Sequence, residues 1–198
     1  MIYIKSDKEI ELMRKPCKIV RDVLRLCEDK IKAGMTTKEL DKIAYDYITS
    51  CGAKPSFLGY GGFPAATCIS IDEQVVHGFP SDRIIEEDQI VSVDVGAYFN
   101  GFHGDAARSL YVGHISPEKK KLIDVTRECF FEGIKGICIG SALGDIGAQV
   151  QEHAEKNGFS VVRDMVGHGV GRHLHEDPSV PNYGKRGVGV RLKRNMTI

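Results

Sequence analysis

Helices and strands mixed in two similar halves are what this sequence predicts, and three observations carry that reading. Apolar residues recur at helical spacing before Gly52 and again after Val112, and the stretch between is strand-like. Each pair of helical stretches is punctuated and closed by glycine, and strand-like sequence follows. At an offset of 106 residues, Gly34 matches Gly140, Glu39 matches Asp145, Leu40 matches Ile146 and Gly52 matches Gly158. Each half then reads helix, glycine turn, helix, glycine, strands. Two such halves imply a pseudo-two-fold axis, with a ligand cleft as its natural companion.

The elements follow in order. Ser6 with Glu9 is a capping box, so a helix starts near Asp7. Ile10, Met13, Cys17, Val20, Leu24, Cys27 and Ile31 keep helical spacing, Pro16 predicts a break or kink, and Gly34 ends the run. Thr36 with Glu39 is a second box, for a helix with Leu40, Ile43, Ala44, Tyr47 and Ile48 on one face, closed by Gly52. Thr67 to Ile71 and Ile90 to Tyr98 are strand-like, joined by a loop through Gly78, Pro80 and Asp82. Pro117 is a natural first helical residue, for a helix to about Ile139. After Gly140 another helix covers Leu143 to Asn157, Gly158 ends it, and the chain from Ser160 is strand-like and then glycine-rich.

Composition sets the class. The 198 residues are 42% apolar and 27% charged, the balance of a soluble globular protein. Lys plus Arg and Asp plus Glu are 27 each, which argues against a non-specific nucleic-acid binder. The cluster Lys185, Arg186, Arg191, Lys193 and Arg194 reads as a solvated loop. Six cysteines show no C-x-x-C spacing and sit among apolar residues, as small hydrophobes do. With neither a signal peptide nor a long apolar run, the expectation is a reduced, cytoplasmic protein with no membrane partner.

The segment from Ile90 to Ala107 holds the first chemistry. Asn100-Gly101 between strand-like runs signals a two-residue type I′ hairpin, which needs positive φ at both positions. That turn pairs Phe99 with Phe102, Ala97 with Gly104 and Gly96 with Asp105. Val91, Val93 and Val95 then share one face, and Ser92, Asp94, Gly96 and Tyr98 the other. Asp105 joins Asp94 on the polar face as a diagonal neighbour, with Cα atoms about 7–8 Å apart. Two carboxylates so placed repel unless something positive lies between them, and paired divalent cations about 3.5–4 Å apart meet that need. Gly96 and Gly104 leave room for a close approach. Two solvent-facing aspartates are the alternative, and a β-bulge would break the parity.

Histidines supply the second set of candidates. Val166 to Pro178 holds His168, His173 and His175, three of the seven histidines, with three glycines. Such a grouping suits a metal or an acid–base role, the alternative being a surface loop. The spacing is not H-E-x-x-H, so a helical zincin is excluded. His77 follows an apolar pair and precedes a Gly-containing turn, and alone it reads as a structural histidine.

Taken together, the motifs resemble those of the type I methionine aminopeptidases in order and spacing. They are Ser70-Ile71-Asp72-Glu73-Gln74-Val75-Val76-His77-Gly78, Val93-Asp94, Phe102-His103-Gly104-Asp105, Gly167-His168-Gly169-Val170-Gly171-Arg172 and His175-Glu176. Gly59-Tyr60-Gly61-Gly62-Phe63-Pro64 is similar to that family's loop at the methionine pocket. The resemblance implies an α+β pita-bread fold of two pseudo-symmetric halves around a metal cleft. It implies two divalent cations, for which Co, Mn, Fe and Zn are all suitable, with Asp94 on one, Asp105 on both and His168 on the other. It implies His77 hydrogen-bonded to substrate near the scissile amide and His175 at the scissile carbonyl or oxyanion. Tyr60, Phe63, Cys68 and Leu174 look like walls of the methionine pocket, with Leu174 where many relatives have Phe. The implied reaction frees the N-terminal methionine of nascent peptides that carry a small second residue. The ribosome is the implied partner, and the protein a monomer.

The family pattern also needs two Glu ligands after a segment like Met196-Thr197-Ile198. The expectation is therefore a single catalytic domain, residues 1–198, truncated at its C-terminus with its last strands missing, weak metal binding and little activity. Two other readings stand beside it. One is a non-catalytic homologue acting as a binding module, such as at a ribosomal surface. The other is another pita-bread peptidase of the X-Pro type, a group with an extra N-terminal domain.

Overall fold

The computed structural model describes residues 1–198. In chain order it forms α1 (Asp7–Lys30), α2 (Thr37–Ser50), β1 (Lys54–Pro55), a 3-10 turn (Tyr60–Gly62), β2 (Thr67–Ile71), β3 (Val91–Phe99), β4 (Phe102–Leu110), α3 (Pro117–Ile134), α4 (Leu143–Lys156), β5 (Gly167–Gly169) and β6 (Glu176–Val180). These residues gather into two compact units. A hairpin unit comprises Glu11–Lys119 with Gly171–Leu174, and a histidine unit comprises Met1–Ile10, Lys120–Val170 and His175–Ile198.

The hairpin unit is built on one antiparallel sheet. β4 pairs one edge of β3, while β1 and β2 pair the other in succession. Asn100 at φ 49° and Gly101 at φ 87° make the expected turn, and Phe99 faces Phe102, Ala97 faces Gly104 and Gly96 faces Asp105. No bulge interrupts this pair, so the parity of the two faces survives to Val91. Val91, Val93, Val95 and Ala97 are fully buried against Ile19, Val20, Val23, Leu24 and Cys27 of α1 and Leu40, Ala44 and Ile48 of α2. Asp41 ties α2 to β2 by accepting from the Thr67 N–H at 2.8 Å and the Thr67 hydroxyl at 2.7 Å.

Two expectations are corrected here. α1 runs through Pro16 from Asp7 to Lys30 without a break. Pro16 is buried, and at Gly104 a Cβ would stand 2.8 Å from the Pro16 carbonyl carbon and 2.7 Å from the Cys17 nitrogen. β4 therefore closes onto the helix at the proline, and tertiary packing overrides a local cost of about 3 kcal/mol. α3 ends at Ile134 and not near Ile139, because Gly136 already takes φ 71°, the left-handed conformation that stops a helix.

In the histidine unit, Val125 and Cys129 of α3 pack on Ala154 and Val150 of α4, with Phe159 and Val161. β5 and β6 pair with an irregularity between His168 and Gly169. They are the only strands in a region that the sequence reads as more extended. Lys5 and Glu176 form a buried ion pair, with side chains 5% and 2% exposed. The repeat reappears as hydrogen bonds. Gly34 N–H donates to Ile85 O at 2.9 Å and Ile85 N–H to Met35 O at 2.8 Å. In the histidine unit, Gly140 N–H donates to Leu192 O and Leu192 N–H to Ser141 O, both at 2.9 Å. No helix is long and apolar enough to cross a membrane.

Candidate active site

Asp94 on β3 and Asp105 on β4 share the polar face of the hairpin unit's sheet, Asp94 opposite Ala107 and Asp105 opposite Gly96. Their carboxyl groups are hydrogen-bonded to each other. Burial pushes the Asp105 carboxyl up to about 6, and the bond to Asp94 works against that rise. Cys68 on β2 stands directly opposite Asp94. Its thiol is pushed up to about 12, first by burial and then by the charges of Asp94, Asp105 and Asp41. Cys68 is thus a neutral, apolar neighbour of the carboxylates.

The room expected at the two glycines is taken by protein. A Cβ at Gly96 would lie 2.7 Å from the Phe57 ring and from Ser56, and Gly104 abuts α1. Beside the carboxylates, Phe57, Cys68 and Leu174 form a small buried cluster with Phe63 packed on it. The Phe57 and Phe63 rings meet edge to face at 6.4 Å. Tyr60 opens the 3-10 turn and is 51% exposed, outside that cluster. His77 is exposed on the loop after β2, at φ 61°.

Sequence reasoning gave no role to Phe57, Ser56 or His103. His103 Nδ1 lies 2.8 Å from the Ser56 hydroxyl, and its ring leans on Tyr98 at 4.7 Å. Gly96 is the signal that could have pointed to Phe57, since a side chain there would displace that ring.

In the histidine unit, His168 lies on β5 and His175 just before β6, with ring centroids 4.2 Å apart. His168 Nδ1 pairs with Gly169 O at 2.9 Å, which assigns the proton to Nδ1. The structure gathers no group of three or more His, Cys, Asp or Glu side chains placed to hold a metal ion. The donors come as pairs, Asp94 with Asp105 and His168 beside His175.

Comparison with known proteins gives the class first. The model of metallopeptidase family M24 matches residues 11–198. The chain is 51% identical over 198 residues to a methionine aminopeptidase of Clostridium perfringens, covering all of this chain and 80% of the relative. The crystal structure of methionine aminopeptidase from Thermotoga maritima superposes with a TM-score of 0.97 at 46% identity, over 99% of this chain and 79% of that one. That from Rickettsia prowazekii gives 0.96 at 41% identity, with the same two coverages. The chain belongs to metallopeptidase family M24 and, within it, to the methionine aminopeptidases. Its α+β architecture is the pita-bread fold of that group.

The residues fit a divalent cation. A half-buried pair of hydrogen-bonded carboxyl groups offers hard oxygen donors to a cation. The His168 imidazole has its Nδ1 proton tied to a backbone carbonyl, the kind of bond that orients metal-binding histidines.

Proposed function

We infer that this chain hydrolyses the first peptide bond of polypeptides that begin with methionine, in a metal-dependent reaction. The observation that carries the reading is the half-buried, hydrogen-bonded Asp94–Asp105 pair on a family M24 scaffold. By motif, Asp94, Asp105 and His168 are the residues that would hold two cations, with Asp94 assigned to one, His168 to the other and Asp105 to both. Donors of this kind suit Mn, Fe, Co and Zn alike. When bound, such cations act as Lewis acids toward the scissile carbonyl and lower the pKa of water.

The remaining roles belong to the protein's own groups. His175 donates a hydrogen bond where negative charge develops on the carbonyl oxygen, and His77 hydrogen-bonds the substrate beside the scissile amide. Phe63, Cys68 and Leu174, with Tyr60 at the rim, hold the methionine side chain away from water. Phe57 adds to that wall, since it packs in the same cluster. A small second residue is preferred. The protein acts as a cytoplasmic monomer on nascent chains, with the ribosome as partner.

The test is a peptide assay with the 198-residue chain. It is incubated for hours with a Met-Ala-Ser peptide or an X-Pro dipeptide, with Mn²⁺, Co²⁺ or chelator. Free methionine from the first peptide alone, and only with metal, is expected. Cleavage of the X-Pro dipeptide would move the chain to the other peptidase class. Release from neither substrate with either cation would overturn the hydrolase reading in favour of a binding module.

A further inference from the structure

The loop that carries His77 is held in an unusual way. It leaves β2 at Asp72 and returns at Gly78, and Glu73, Gln74, Val75, Val76 and His77 are all exposed. His77 sits at φ 61°, a conformation that a residue with a side chain keeps only when its surroundings impose it.

Two fastenings impose it. At the loop's start, Asp72 N–H donates to Ile90 O at 2.9 Å, and the Asp72 carboxylate accepts from Ile90 N–H at 3.0 Å. Lys119 adds its ammonium group 3.1 Å from that carboxylate. The second fastening lies one residue after His77. Ile69 N–H donates to Gly78 O at 2.9 Å, and Gly78 N–H donates to the Ser70 hydroxyl oxygen at 3.0 Å. Residue 78 must be glycine for this approach, because a Cβ would fall 2.2 Å from Ile69 O. Ser70 is 2% exposed, so its oxygen meets Gly78 away from water. The next residue, Phe79, is 62% exposed, and its ring stands edge-on to Phe63 at 5.2 Å.

We propose that Ser70 is a positioning residue for methionine release: its buried hydroxyl fixes the backbone from which His77 is presented to substrate. This rests on His77 contacting the substrate as stated under the proposed function. Ser70 touches neither substrate nor cation in this scheme, and it acts through the Gly78 N–H alone. Removing the hydroxyl strands that N–H and frees His77 to leave its left-handed conformation.

The experiment combines hydrogen exchange with kinetics on the full chain. In Ser70→Ala, the amides of residues 76–79 should exchange faster while those of β3 and β4 do not change. kcat/KM on Met-Ala-Ser with Mn²⁺ should fall about tenfold, the size of one lost hydrogen bond. Ser70→Thr, which keeps the acceptor, should recover to within about twofold. In a His77→Ala background, Ser70→Ala should cost nothing further, because the two act as one unit.

An equal second loss in that background would overturn the proposal, as would unchanged exchange in the loop. Faster exchange throughout the hairpin would also overturn it, by showing general loosening. Should Ser70→Ala not fold, Ser70→Cys keeps the size, weakens the acceptor and carries the same comparisons. If the unmodified chain frees no methionine, the hydrolase reading falls, and the exchange measurement still decides whether Ser70 holds the loop.

Discussion

At Asp105 two demands oppose each other. Burial favours the neutral acid, while the hydrogen bond to the neighbouring Asp94 favours the charged form and is outweighed. The folded chain therefore keeps a proton at Asp105 that the unfolded chain, with an aspartate near 4, has already released. Stability from this group is full below about pH 4 and is lost as pH rises through about 6. Urea titrations of the metal-free chain should show the unmodified protein losing stability relative to Asp105→Asn between those two pH values. Adding Mn²⁺ at pH 7 should stabilise the unmodified protein and leave Asp105→Asn nearly unchanged. A gap that stays flat with pH would show that burial is not felt at this carboxyl. The shared face of Asp94 and Asp105 was legible in the sequence because strand parity alone sets it. Phe57 and His103 were not legible, since their places depend on contacts with residues distant in the chain.

Among the elements, the hairpin was the most legible. Asn100-Gly101 allows one turn type, that turn sets the register, and the register aligns every pair from Phe99–Phe102 to Val91–Leu110. The ends of helices were less so. Both Gly136 and Gly140 have positive φ, and the earlier one stops α3. Pro16 misled for a different reason: local propensity forbids it, and packing keeps it. Gly104 shows how tight that packing is, with α1 backbone within 3.0 Å of the position its Cβ would take. Backbone atoms cannot rotate away as a flexible side chain does. Gly104→Ala should therefore destabilise the chain by about 1–3 kcal/mol or more, read by urea denaturation. Ala106→Gly, at an exposed position two residues along the same strand, should cost no more than about 1 kcal/mol. Equal costs at the two sites would mean that β4 does not bear on the helix as the structure has it.

For the molecule as a whole, the repeat is a relation between two sequences that have kept one backbone plan. Glu39 Oε2 accepts from Thr36 N–H at 2.8 Å, and Asp145 Oδ2 accepts from Ala142 N–H at 2.7 Å, the same offset of 106 residues apart. Gly34 and Gly140 share positive φ, as do Gly52 and Gly158. Some core positions keep the same offset: Ile19 and Val125, Val23 and Cys129, and Leu40 and Ile146 are all buried, whereas Val20 is buried and its equivalent Thr126 is exposed. The pattern parts at Leu24, which is 5% exposed beneath the sheet, and its equivalent Phe130, which is 62% exposed on α3. Repeat and burial therefore predict different energies at matched positions. Leu24→Ala should cost about 2–5 kcal/mol, since it empties part of a packed core. Phe130→Gln should change stability by no more than about 0.5 kcal/mol and leave the protein a monomer, since the ring is exposed. Urea denaturation and light scattering measure the two quantities. A large stability loss at Phe130 would show that its ring is covered in solution, and that the two units are more alike in packing than their exposures say.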